Sequence, residues 1–107
     1  MTETSIPKKV PPEAARLISI LRAQMPMLTV HYHVKSLELF GSYIHNAQRA
    51  DSDLDILIEF DEPPSLFEFI RLENYLSDIL GVKVDLVMKD ALKPDMGKRI
   101  LREAVPV

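Results

Sequence analysis

Apolar residues recur at helical spacing from Glu13 to Met25, where Ala14, Leu17, Ile18 and Leu21 share a face and Arg16 and Arg22 can meet water. Pro11 and Pro12 suit the entry to that helix, and Pro26, with no N–H to donate, is expected to stop it. The pattern then changes to period two. Lys35 to Phe40 alternates, with Leu37 and Leu39 on one face, and runs into a Gly41-Ser42 turn. Leu54 to Phe60 sets Leu54, Ile56 and Ile58 on one face and Asp55, Leu57 and Glu59 on the other. Both segments read as strands.

After the break at Asp61 to Pro64, Ser65 with Glu68 three residues on forms a capping box. The helix it opens carries an apolar stripe of Leu66, Phe69, Ile70, Leu72, Leu76, Ile79 and Leu80, and Gly81 stands where a left-handed cap is wanted. Lys83 to Met88 is a short third strand with Asp85 among apolar neighbours. A last helix starts near Pro94, with Met96, Ile100, Leu101 and Ala104 inward and Lys98, Arg99 and Arg102 outward, followed by an extended tail. The order helix, strand, turn, strand, helix, strand, helix predicts an α/β (α+β) domain over residues 11–107, a small mixed sheet of about three strands with helices packed on it. Residues 1–10 have no period and are expected to be a flexible N-terminus.

At 107 residues, 47% hydrophobic and 27% charged, the chain suits one small domain and is too apolar for a disordered tail. The absence of cysteine excludes disulfides, zinc ribbons and thiol catalysis. No stretch approaches the ~18 apolar residues of a membrane span, and the leading MTETSIPKKV lacks the apolar centre of a signal peptide. A cytoplasmic protein without membrane contact is expected. A net charge of −3 argues against a surface built to coat nucleic acid. Residues 51–62 (DSDLDILIEFDE) hold six of the 16 acidic residues and no basic one, and without them the remainder carries +3. Concentrated carboxylates on a mildly basic body suit a hard cation such as magnesium or calcium.

Asp53 and Asp55, two apart at a strand start, project from one face, and Asp85 on another strand can join them. Three converging carboxylates would support magnesium-assisted nucleotidyl transfer. Asp-Ser-Asp at 51–53 also suits an ordinary turn, and Asp55 also suits a solvated sheet face. A calcium loop is rejected: Asp51, Asp53, Asp55 and Glu62 fit the frame, but its sixth position is Ile56 rather than glycine. Gly41-Ser42 could let backbone N–H groups and a hydroxyl approach a phosphate, although Gly-Ser also makes plain turns.

Gly41-Ser42, ten residues, then Asp53-Leu54-Asp55 resembles the G-S-x10-D-x-D signature of the DNA polymerase beta-like nucleotidyltransferase superfamily. With SLELFGS, KVDLV and ALKPDMGKRILREAVPV, residues from about 13 to 107 look like the minimal nucleotidyltransferase (MNT) family. The resemblance implies the polymerase beta-like fold, with Asp53 and Asp55 binding Mg2+, Asp85 completing the triad and activating the acceptor hydroxyl, and Gly41 and Ser42 holding the phosphates of ATP. It further implies an antitoxin that moves AMP from ATP onto a tyrosine of a HEPN-domain toxin. Where the family reads G-S-x-A-R-G, this chain has His45 for arginine and Asn46 for glycine, and Arg49, at a frequent basic position, is expected to compensate in nucleotide binding. A non-catalytic antitoxin that acts by occlusion is the second reading, and adenylylation of a small molecule a third.

Other candidates fit structural roles better. His31 and His33 flank Tyr32 without acidic or cysteine neighbours, Tyr43 follows a turn directly, and Lys98, Arg99 and Arg102 suit a solvated helix face. A domain of this size leaves room for a homo- or hetero-oligomer.

Overall fold

The structure is a computed structural model that describes residues 10–107; the leading segment 1–9 lies outside the described residues. Val10, the first of them, is partly buried against the core. Helix α1 spans Pro12–Tyr32 and buries Ala14, Leu17, Ile18, Leu21 and Leu28. It does not stop at Pro26, which lies exposed inside it. Burying Leu28 beyond the proline stabilises by about 1.5 to 3 kcal/mol, comparable with the ~3 kcal/mol an interior proline costs. Met27 and Tyr32 add partly buried surface on the same side. The helix ends at His33, whose left-handed backbone (φ 59°) returns its N–H to Leu28 O.

Strand β1 (Val34–Phe40) pairs antiparallel with β2 (Leu54–Phe60), and β2 pairs parallel with β3 (Val84–Met88). The tail adds a fourth strand, β4 (Val105–Pro106), giving the order β3-β2-β1-β4. The sequence pattern marks three of these, because two residues are too few to show a period. Between β2 and β3 runs α2 (Leu66–Leu80), opened by the expected capping box: Ser65 Oγ accepts from Glu68 N–H and Glu68 Oε1 accepts from Ser65 N–H, each at 3.1 Å. Gly81 closes it at φ 71°. Leu72, Leu76 and Leu80 meet the core, whereas Leu66 and Ile70, expected inward, are 76% and 45% exposed. The stripe is wider than the surface that α2 shares with the sheet.

Leu54, Ile56 and Ile58 of β2 face α1 and α2 in one hydrophobic cluster. Leu57 points the other way and is also buried, and the turn of 3-10 helix Lys89–Ala91 contacts β2. Helix α3 (Pro94–Glu103) follows and packs through Gly97, whose missing Cβ would sit 3.4 Å from Leu92 Cβ. Met96 and Leu101, expected inward, are 59% and 44% exposed, while Ala104 is buried just beyond the helix. Among the described residues no helix is long and apolar enough to cross a membrane.

Replacing the exposed Pro26 with alanine should restore an intrahelical donor and stabilise the chain by about 1 to 3 kcal/mol. Urea unfolding checks this, and a loss of stability would mean that the proline fits a local bend on which packing depends.

Candidate active site

The site begins where β1 runs out. Phe40 pairs with Asp55 across β1 and β2, and Gly41 follows with a left-handed backbone (φ 82°) that any side chain would strain. A Cβ on Gly41 would overlap the Asp55 carboxylate, so glycine is also needed for the close approach of backbone to acid. From there the chain makes a single helical turn: Ile44 N–H and His45 N–H donate to Gly41 O (3.1 and 3.3 Å), and Ala47 N–H donates to Ser42 O (2.9 Å). Tyr43, 5% exposed in the core cluster, pins this turn, which leaves it a packing residue rather than a base-stacking one. Asn46 ends it at φ 55°, a conformation that asparagine tolerates better than most side chains.

The carboxylates come from the parallel pair. Asp55 on β2 and Asp85 on β3 are register partners, and Asp53 lies two residues before Asp55 on the same face of the chain. Helix α2 fixes the β3 side of this pairing. Ser77 Oγ accepts from Val84 N–H and Glu73 Oε2 from Leu86 N–H, both at 2.9 Å, so the residues on either side of Asp85 are held. Burial, then the negative charges of Asp85 and Asp53, push the Asp55 carboxyl above its ordinary range. Mutual repulsion of this kind is what a divalent cation relieves.

Among the described residues no three His, Cys, Asp or Glu side chains stand as a ready-made metal cage. Strand pairing sets the backbone register, and the donor chemistry is all carboxylate oxygen, which fits magnesium. Asp53, Asp55 and Asp85 are the residues that would hold it. The same sheet face continues into Glu38, opposite Leu57, and Glu59. Lys89 Nζ lies 3.4 Å from Glu38 and 3.7 Å from Glu59, and Ser36 Oγ donates to Glu59 at 3.0 Å. One ammonium thus meets two carboxylates on the flank of the site.

Of the six residues expected from the sequence, Gly41, Asp55 and Asp85 are brought together by the closeness of glycine to acid and by strand register. Asp53 and Ser42 adjoin them along the chain. Arg49 lies exposed in the β1–β2 loop, its backbone N–H donating to Ser52 Oγ at 2.8 Å in the turn that leads to Asp53. His45, the departure from the family pattern, has its Nε2 3.0 Å from Glu103 Oε1 at the end of α3. Nothing in the sequence marks out Glu103, Glu73, Ser77 and Lys89, since charged or hydroxyl residues on a helix or turn look like ordinary surface. His33 is an exposed helix cap, and His31 lines an open cleft with Glu68, Arg71 and Tyr75.

Gly41→Ala should destabilise the chain by about 1 to 3 kcal/mol and displace the Asp55 carboxylate, weakening nucleotide binding; urea unfolding and calorimetric titration with an ATP analogue read the two effects. Asp55→Asn should have the opposite effect on stability. A carboxyl that binds its proton more tightly when folded loses folding stability as pH rises from the ordinary carboxylate range through its raised value, so the penalty grows toward neutral pH. In metal-free buffer at pH 7 the variant should melt a few degrees above wild type. Added magnesium should raise the melting temperature of wild type more than that of the variant.

Residues 17–107 match the family model described as a nucleotidyltransferase domain. The protein adenylyltransferase MntA of Thermococcus cleftensis is 48% identical over 89 residues, which span 83% of this chain and 90% of that one. A solved structure provisionally described as a minimal nucleotidyltransferase superposes with a TM-score of 0.69 at 35% identity, covering 87% of this chain and 90% of that one. A Shewanella oneidensis MNT antitoxin, solved in complex with its tri-AMPylated HEPN toxin, shares the fold at a TM-score of 0.56 and 21% identity, over 88% of this chain and 67% of that one. The chain therefore belongs to the nucleotidyltransferase domain family, among the minimal nucleotidyltransferases related to MntA.

Proposed function

We propose that the chain is a magnesium-dependent protein adenylyltransferase that moves AMP from ATP to a hydroxyl, that of a tyrosine on a HEPN-domain toxin, and so acts as its antitoxin. The observation that carries this reading is the in-register pairing of Asp55 with Asp85 beneath a turn whose glycine touches the Asp55 carboxylate. The name of the Thermococcus relative and the complex formed by the Shewanella relative support the substrate and partner classes. Bound magnesium would supply charge neutralisation for the triphosphate.

The chain's own residues do the rest. Gly41 and Ser42 present backbone N–H groups and a hydroxyl at the start of a helical turn, the arrangement that receives phosphate oxygens. Arg49, exposed in the β1–β2 loop, supplies a fixed positive charge. Asp53 and Asp55 bring the anionic oxygens that hold the cation. Asp85 is exposed at the outer strand, where an incoming hydroxyl can reach it, and takes the acceptor proton. The acceptor oxygen then bonds to the α-phosphorus, the bond from that phosphorus to the bridging oxygen breaks, and pyrophosphate leaves. A domain this small holds little acceptor-binding surface of its own, so recognition falls to the partner.

Label transfer from ATP in an extract containing the native partner tests the reading. Label from the α-phosphate should appear on a protein band and vanish with Asp53→Asn/Asp55→Asn. Label from the γ-phosphate would instead mean phosphoryl transfer. No label on a partner that still binds would move the function to occlusion.

A further inference from the structure

The contact between His45 and Glu103 deepens the nucleotidyltransferase reading and rests on it. The two side chains are 53% and 43% exposed, so their pairing fills no cavity and its loss would leave the core intact. Each partner is nonetheless held by what surrounds it. Glu103 is the last residue of α3, the next residue Ala104 returns its N–H to Ile100 O at 2.8 Å, and Val105 pairs with Leu39 of β1. An acid at a helix C-terminus faces the negative end of the helix dipole, an unfavourable place unless a donor sits opposite. His45 provides that donor from the turn that follows Gly41.

On its own side, the turn is anchored by the buried Tyr43 and by bonds back to Gly41 and Ser42, while His45 carries it across to a second element. The ring is thereby committed to a carboxylate. It does not take up the phosphate-binding task that an arginine at this place could perform.

We propose that His45 and Glu103 are a positioning pair: the bond between them clamps the Gly41–Asn46 turn to the end of α3, and nucleotide affinity depends on that clamp while the chemistry at Asp53, Asp55 and Asp85 does not. His45 acts through the turn and touches no phosphate.

Calorimetric binding of a non-hydrolysable ATP analogue with magnesium tests this on the full chain, for wild type, His45→Ala, Glu103→Ala, the double variant and His45→Arg. Each alanine variant should raise Kd by about three- to fivefold, and the double variant should be no worse than either single. His45→Arg keeps a hydrogen-bond donor opposite Glu103, so it should stay within about twofold of wild type. In adenylyl transfer the loss should fall on the KM for ATP and leave kcat unchanged. Unfolding midpoints close to wild type exclude general damage, and Glu103→Gln, which keeps an acceptor of the same shape, should lie between wild type and Glu103→Ala. Multiplying effects in the double variant, a loss with His45→Ala but none with Glu103→Ala, or a wild type that binds no nucleotide would overturn the inference. A wild type that binds the analogue with this pattern but transfers nothing would sink the proposed reaction and leave the clamp supported.

Discussion

Parallel strands cannot be joined by a tight turn, and the pairing of β2 with β3 therefore requires the whole of α2 as its crossover. Everything in the site follows from that pairing. It brings Asp55 and Asp85, thirty positions apart, side by side, and it keeps them there against their own repulsion because the alternate residues of both strands are locked in the core. Leu54, Ile56 and Ile58 on one side, with Val84 and Leu86 beside them, cannot shift by one residue without moving every apolar group to the wrong face. Register thus sets the carboxylate geometry, and hydrophobic burial sets the register.

Much of this architecture could be read in advance from local pattern. The period-two run in Leu54–Phe60, the capping box at Ser65 and the left-handed glycine at 81 each have a strong local cause, and the structure places all three where the pattern does. Pro26 reads as a stop because the rule concerns backbone hydrogen bonds, whereas the helix continues for the burial of Leu28, which local spacing does not reveal. The apolar residues Leu66, Ile70, Met96 and Leu101 match a helical stripe yet remain exposed, since periodicity specifies a face and not how far the opposing surface extends. In the site, chain spacing already points to the Asp53 and Asp55 pair and the glycine turn. Pairing of Asp85 with Asp55, and of His45 with Glu103, depends on which strand lies beside which and on where α3 ends.

The electrostatic design is correspondingly lopsided. Three carboxylates gather at one end of the sheet, two more continue along its face, and Lys89 answers only the latter. That leaves Asp55 carrying the combined effect of burial and two like charges. Under the proposed function, such a group sacrifices stability for charge density where a metal–nucleotide complex would sit. The glycine next to it serves the same end, since only a backbone without Cβ can come so near the acid.

The two ends of the sheet have a further consequence. At one edge, the N–H groups of Val84 and Leu86 are taken by Ser77 and Glu73 of α2. At the other, β4 is only two residues long, and one of them is Pro106, which has no N–H to offer. A passing strand therefore finds the N–H groups of Val84 and Leu86 already engaged at one edge and a proline at the other. Both devices guard the sheet against edge-to-edge polymerisation.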